Sequence, residues 1–572
     1  MTHDTDDTTD EPTGRALESI TDEELSGPRI DRRTSLKLLS AAGMAALAGC
    51  ASSEVDGTAT DTDSGGGDDD EPTEDDSTPT EAASEITTGG TLQAGWMLPN
   101  MDELDPPYIN HTDNMAAMVN IFDALVKIGP GLGIVGNLAT DWTVDGTTMT
   151  FQLREDVTFH NGESFTAEDV KYTISRTINE ELPAASAISK LQAPDDGGVV
   201  VNGDYEVELN WSERYAPAMA YLTRRGRAAT VVNKTAIEEM GGEYSLEPVG
   251  TGPFKVTGHV VQESVTLEAF EDYHETDDNG NSLPYLDGVE ISLVPEPSTA
   301  TSAIRSGDLD FLQTVPPQSY DQVANTDGIN ANSQPLNAWR GLEMNSTKEP
   351  FSSKQFRQGL AKLVDSERFV NEALFGLGQP AVGPLSGNYW PERDDKPDYQ
   401  SYAPEEGKQL IRDSGYEGAE FNVMGRPGEL RWARVLSTML NESGVVNAQV
   451  NQVTGSQSSE LINGMEYDTW VGGGGAQIDP DGCIYNYFTP DGIWNWTGYG
   501  EEETTELLNE QRQEMDREAR GELIHEVENM IMEDAPHAFL FHAAGTVAMQ
   551  SSVKGFVQVP GLRAFHSTWI DS

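Results

Sequence analysis

The chain has 572 residues, of which 97 are acidic and 35 basic, giving a formal net charge of −62. That length exceeds one compact domain of ordinary size, so two or more domains are expected. The charge argues against a nucleic-acid partner, because phosphate binding needs a basic face. Residues 1–88 hold 23 acidic and 5 basic side chains, which leaves 74 acidic and 30 basic, net −44, on the remainder. Self-repulsion on that scale destabilises a compact body at low salt. At ~1 M salt the Debye length is only ~3 Å and the repulsion is screened. The composition reads as a halophile-type acidic surface, with an ordinary acidic extracellular protein as the alternative. The two cysteines, Cys50 and Cys483, form no disulfide framework if Cys50 is used otherwise.

Asp31-Arg32-Arg33-Thr34-Ser35-Leu36-Lys37 resembles a twin-arginine export signal, departing from it at Ser35, where Phe is usual. An apolar run over 38–49 follows, too short to span a bilayer and right for a signal core. It ends in Leu47-Ala48-Gly49-Cys50, which resembles a lipobox, so the expectation is cleavage before Cys50 and lipidation of its thiol. Residues 51–88 carry Asp, Glu, Ser, Thr and Gly with no Lys or Arg. Such a segment has too little apolar surface for a core and reads as a disordered acidic tether.

The body opens with a strand over 89–94, followed by Trp96-Met97-Leu98. Met149, Phe151 and Leu153 alternate with Thr150, Gln152 and Arg154, the period of a half-buried strand. Asn161-Gly162 signals a tight turn. Thr166 precedes Asp169 by three residues, a capping-box-like helix start. Residues 300–306 read as a helix closed by Gly307. Phe356, Leu360 and Leu363 share one face of a helix, and Asp365 caps the next, with Phe369, Val370 and Leu374 apolar. Residues 467–470 read as a short strand. Leu523, Val527, Met530 and Ile531 line another helical face, stopped by Pro536, with a strand beyond it.

Several of these residues form motifs. Residues 137–176 carry Leu138-Ala139, Trp142, Leu153-Arg154, Phe159-His160, Gly162 and Phe165-Thr166-Ala167-Glu168-Asp169-Val170. Leu104-Asp105-Pro106, 121–126 and Pro248-Val249-Gly250-Thr251-Gly252-Pro253-Phe254 add to them. Together they resemble the solute-binding proteins of peptide-type ABC importers, the dipeptide, oligopeptide and nickel family (family 5 extracellular solute-binding proteins), here as a haloarchaeal-like lipoprotein. The resemblance runs from about residue 89 to the C-terminus, and in it 121–126 match a helix ending in Phe-Asp-x-Leu. It implies an α/β type II periplasmic-binding-protein fold in its large three-domain version, two lobes around a ligand cleft. It places a twin-arginine lipoprotein signal at 1–50 and the tether at 51–88. Lobe I takes 89–125, 250–345 and 535–572, an accessory domain 126–249, and lobe II 346–534. The block at 137–176 then identifies the scaffold and lies away from most ligand contacts.

The resemblance also points to the loop 471–481, in which four consecutive glycines, Gly472 to Gly475, bring backbone close to something. Asp479-Pro480-Asp481 resembles the family's cleft motif. Peptide-binding relatives carry an aspartate four residues before that proline, as counter-charge to the peptide ammonium. Here the position is Ala476, which weakens a claim of α-amino recognition and leaves room for an oligosaccharide. Aromatic side chains suit either ligand. The candidate ligand-binding residues are Trp96, Tyr108, Trp339, Gly475, Ala476, Gln477, Asp479, Trp494, Trp496 and His542.

No His-Glu-x-x-His, Gly-x-Ser-x-Gly or phosphate-loop motif occurs, and the nine His lack zinc-ligand spacing. Cys483 reads as a buried inert thiol. No catalytic residue, metal or cofactor is expected. The function implied is a monomeric, lipid-anchored receptor on the extracellular face of the cytoplasmic membrane. It would capture a peptide or peptide-like solute and deliver it to ABC permease and ATPase subunits. The alternatives are an oligosaccharide receptor of the same transporter family and a secreted hydrolase.

Overall fold

A computed structural model describes residues 86–571, except 110–111, 130–132, 388, 427, 476 and 560–561, and the side chains at 112 and 113. Arg32, Arg33, Cys50, the acidic tether up to residue 85 and Ala476 lie outside the described residues.

Strand β1 (Thr91–Trp96) buries Leu92, Ala94 and Trp96. The helix that follows, Thr112–Met118, stops short of the Phe-Asp-x-Leu segment. Residues 121–125 are buried but not helical, because other segments take their carbonyls. Gly252, Val231, Leu138 and Ala139 donate to Ile121, Asp123, Ala124 and Leu125 at 2.9 to 3.1 Å. Strands β2 (Ala139–Asp145) and β3 (Thr148–Leu153) form a hairpin, and the alternation of Met149, Phe151 and Leu153 is the buried face of β3. Helix α1 (Ala167–Asn179) starts at Thr166, whose backbone N–H donates to the Asp169 carboxylate at 2.8 Å. With β4 (Val199–Val201) and β5 (Glu206–Asn210) the hairpin makes a four-stranded antiparallel sheet in the order β2-β3-β5-β4. Val170 and Ile174 of α1 pack with Phe151 and Leu209 in a separate apolar core.

The chain then builds the main sheet. Its next strands are β6 (Phe254–Val260), β7 (Ser264–Ala269), β8 (Gly288–Leu293), β9 (Phe311–Leu312) and β10 (Ile329–Met344). Between β8 and β9 a helix, Pro297–Ser306, closes on Gly307 at φ 81°, as the glycine predicts. Helices α2 (Lys354–Leu363) and α3 (Ser366–Leu374) follow, with the Arg368 N–H donating to the Asp365 cap at 2.9 Å. Then come β11 (Ala419–Gly425), α4 (Leu430–Glu442), β12 (Val446–Gln452) and β13 (Thr469–Gly472). Helices α5 (Asp481–Phe488), α6 (Glu502–Gln513) and α7 (Arg517–Asp534) lead into β14 (His537–Gln550).

The 11-stranded sheet has the order β12-β11-β13-β10-β14-β9-β1-β8-β7-β6, with the short strand Gln379–Pro380 paired to β14. Long antiparallel strands β10 and β14 join its halves. One end pairs Ile329 with Gln550 beside β9, and the other pairs Glu343 with His537 beside β13. Their register shifts between Pro335 and Gly341, so the ladder breaks in the middle of the molecule.

The signature motifs interlock. The His160 N–H donates to the Gly250 carbonyl at 2.9 Å, its Nε2 lies 3.0 Å from the Gly252 carbonyl, and Gly250 donates to its Nδ1 at 3.3 Å. Burial pushes the imidazole down to about 4, so it stays neutral and serves as donor and acceptor at once. A Cβ on Gly250 would meet the Ile121 carbonyl oxygen at 2.1 Å, which requires glycine there. Asp105 of Leu104-Asp105-Pro106 receives a bidentate pair from Arg176 at 2.6 and 3.2 Å. These motifs hold the four-stranded sheet and α1 against the main sheet.

Candidate functional site

A cavity of about 1010 Å³ opens between two walls. Segments 181–190 and 215–227, which flank β4 and β5, make the first wall. The end of β13, the glycine loop, α5, the loop 491–496 and Arg512 of α6 make the second. None of the residues 137–176 lines it, and other parts of the 126–249 segment supply the first wall.

The walls touch where segment 213–221 meets α5 and α6. Asp481, fully buried at the start of α5, receives Arg512 at 2.8 and 2.9 Å and Gln511 at 2.7 Å. Tyr221 from the opposite wall donates its hydroxyl to the same carboxylate at 3.3 Å. Burial, and next the Asp481 charge, push the Tyr221 hydroxyl well above its ordinary range, so it remains a donor. Beside it the Ala216 N–H donates to the Arg512 carbonyl at 2.7 Å. This contact latches segment 215–221 onto α5 and α6.

Three of the four glycines are explained by packing against the fold. A Cβ on Gly472 would lie 2.1 Å from Glu343 Oε1, one on Gly473 2.1 Å from the Trp339 carbonyl, and one on Gly474 2.7 Å from Trp339 Nε1. The loop lies on β10, and Arg340 fastens it by donating to the Gly474 carbonyl at 3.0 Å. Beyond the glycines, Asp479 accepts from Arg520 at 2.5 and 2.8 Å. Its charge is thus already committed.

The structure divides the candidate residues. Gln477, Asp479, Trp494 and Trp496 line the cavity. Trp494 leans on Tyr487 with ring centres 5.2 Å apart, and Trp496 on Trp470 at 5.7 Å. Trp96, Trp339 and His542 sit in the core and off the cavity wall. Trp96 packs on Phe311 and Phe565. Trp339 is enclosed by Tyr487, Phe488 and Phe539, and its indole N–H donates to the Cys483 carbonyl at 3.1 Å. His542 is buried on β14 and pushed down to about 3 by that burial, next by the charge of Lys396. Gly475 is buried beside the loop but off the lining. Tyr108 is half-buried under the Arg176 guanidinium, 5.5 Å from its ring centre. Cys483 is buried, which pushes its thiol well above the usual range.

The sequence reading missed the basic side chains of the site, Lys190, Arg225, Arg227, Arg340, Arg426 and Arg512. One signal existed: Arg224-Arg225-Gly226-Arg227 is a dense basic cluster in a chain with 35 basic residues in all. It also missed Trp470, whose ring lies 4.4 Å from the Arg426 guanidinium. Among the described residues no group of three or more His, Cys, Asp or Glu could hold a metal ion. No helix among them is long and apolar enough to cross a membrane.

Comparison with known proteins fits this geometry. The family model for bacterial extracellular solute-binding proteins, family 5 (middle region), matches residues 133–495. The oligopeptide-binding protein AppA of Bacillus subtilis is 25% identical over 451 residues, covering 73% of this chain and 79% of that protein. The glutathione-binding protein GsiB of Pectobacterium atrosepticum is 23% identical over 487 residues, covering 80% and 90%. The structure of the ABC transporter-associated periplasmic binding protein DppA from Helicobacter pylori, in complex with the peptide STSA, has a TM-score of 0.72 at 21% identity. That likeness covers 85% of this chain and 99% of the other, and it shows a shared α/β periplasmic-binding-protein fold. With its family model covering residues 133–495, well over half of the chain, including the four-stranded sheet and the glycine loop, the chain belongs to the family 5 extracellular solute-binding proteins, a family of binding proteins and not of enzymes.

Proposed function

We propose that the protein is the receptor of an ABC importer, that it captures a peptide or peptide-like solute in the cavity between segments 181–227 and 470–512, and that it hands the solute to the permease. The observation that carries this reading is the cavity itself, about 1010 Å³ between two walls that meet at the Tyr221–Asp481 contact. Parting the walls would admit the solute, and closing them would bury it. Peptide takes precedence over oligosaccharide because similar proteins are named for oligopeptide and glutathione binding. In this reading the body divides into lobe I (89–125, 250–345, 535–572), an accessory domain (126–249) and lobe II (346–534). It is exported through Arg32 and Arg33, anchored by a lipid on Cys50, and works as a monomer in a salty medium outside the cell.

The test is a tryptophan-fluorescence titration in about 1 M KCl, where the Debye length falls to ~3 Å. Saturable binding of short peptides recovered unchanged is the expected result. Cleaved peptide would point to a hydrolase, and silence across peptide and oligosaccharide libraries would refute the receptor reading.

A further inference from the structure

The cavity wall inverts the charge of the protein. Acidic residues outnumber basic ones 97 to 35 in the chain, yet the lining carries six basic side chains against Glu181, Asp479 and Asp491. Glu181 and Asp491 are exposed, and Asp479 is held by Arg520. The carboxylates facing the interior are therefore few or already paired. Lys190 pairs with Glu213, Arg426 with Glu429, and Arg512 with Asp481, all carboxylates off the wall.

The turn 221–227 presents Arg225 and Arg227. Its closure requires Gly226, where a Cβ would meet the Tyr221 carbonyl oxygen at 1.8 Å. Arg224 points away, donating to the Val119 carbonyl at 2.7 Å near Asp123. Arg225 and Arg227 line the cavity. Arg227 is held at φ 68°, a left-handed conformation costly to a non-glycine residue and retained where surrounding structure imposes it. Its guanidinium donates to the Ile109 carbonyl, its Nε is buried without a partner, and no carboxylate among the described residues pairs with it. Burial, and next the charge of Arg225, bring it down to about 10, so it remains a cation. A buried cation without a counter-charge is costly, and an arriving anion relieves that cost.

We infer that the solute is anionic, a peptide or peptide-like molecule with a carboxylate that accepts from Arg225 and Arg227 while its body lies against Trp494 and Trp496. This rests on the receptor reading above. The carboxylate is that of an acidic side chain or its equivalent, because the C-terminus of a free peptide is balanced by its ammonium and leaves the molecule neutral.

The experiment is calorimetric titration of the wild-type protein in about 1 M KCl, which screens remote charges and leaves direct contacts. The probes are tripeptides of matched size bearing Glu, Gln or Lys, each as free acid and as C-terminal amide. The Glu peptides are expected to bind at least about tenfold tighter than the Lys peptides. A preference for Glu that survives C-terminal amidation is the expected result. Retention with Glu but not Gln assigns the carboxylate to the side chain. R225Q and R227Q are expected to bring the Glu-to-Gln affinity ratio close to one, with R227K keeping part of the preference. Equal binding of the Glu, Gln and Lys peptides, whatever amidation does, would overturn the anionic inference alone. No binding by any peptide would overturn the receptor reading and the inference with it. The wild-type comparison decides the matter even if a variant fails to fold.

Discussion

Replacing Gly473 by alanine tests whether the glycine loop is shaped by the fold beneath it. The new Cβ would sit 2.1 Å from the Trp339 carbonyl oxygen and 2.9 Å from Arg340 Cα, where ordinary contact begins near 3.4 Å. Both neighbours are backbone of β10, so the loop must retreat by roughly 1 Å. The Gly474 carbonyl now accepts from Arg340 at 3.0 Å and from the Trp339 N–H at 3.1 Å, and that retreat breaks both bonds. Losing one charged and one neutral hydrogen bond costs about 3 kcal/mol, within reach of the overpacking range. The loop carries Gln477 and Asp479 into the cavity, so affinity should fall by on the order of tenfold as well. The assay is urea unfolding and solute titration in about 1 M KCl. Gly455→Ala is the control, since that glycine has nothing within 4 Å and begins a helix. It should be neutral or stabilising by up to about 1 kcal/mol. Equal stability of Gly473→Ala and wild type would refute the reasoning.

Other perturbations separate core from site. Trp494→Ala should weaken binding about tenfold with little change in stability, whereas Trp96→Ala should cost about 3–5 kcal/mol of stability because Trp96 fills the core against Phe311 and Phe565. Thermal scans and titrations of both variants check this, and weakened binding without destabilisation in Trp96→Ala would contradict it. Asp481→Asn removes the charge on which Arg512 and Tyr221 converge, so closure and affinity should suffer together. Small-angle scattering with and without solute reads the closure, and a normal ligand-induced compaction would contradict it. Stability should also fall as pH drops from 6.5 toward 4. Burial holds His160 and His566 at about 4 and His542 at about 3, so the folded protein keeps them neutral while the unfolded chain takes up protons. Glu103, raised to about 7 by burial, acts in the opposite direction, its contribution being lost as pH rises, and offsets about one histidine. His160→Gln should flatten the slope by roughly 1.4 kcal/mol per pH unit, read from urea midpoints across that range, and an unchanged slope would refute the assignment.

Local periodicity and caps were legible in the sequence because they depend on neighbours in the chain. The alternation of β3, the Asp365 cap and the Gly307 closure are all set within a few residues. The end of the helix before Ile121 was not legible, because distant segments from 138 to 252 take the carbonyls that would continue it. The candidate site was half legible. The glycine loop led to Gln477 and Asp479, and the tryptophan pair to Trp494 and Trp496. Trp96, Trp339 and His542 lie in the core and off the cavity wall, because rings on strands suit a core as well as a cleft. The arginines of the first wall lie some 250 residues from the loop they face, a juxtaposition only the fold reveals.

The central claim, that this cavity captures a solute, is tested most directly by a crystal structure of the protein grown with a peptide that saturates it in solution. The account predicts continuous density between the Tyr221 wall and Trp494, with the walls closed over it. Density bound elsewhere on the protein, with the cavity filled only by solvent, would contradict it.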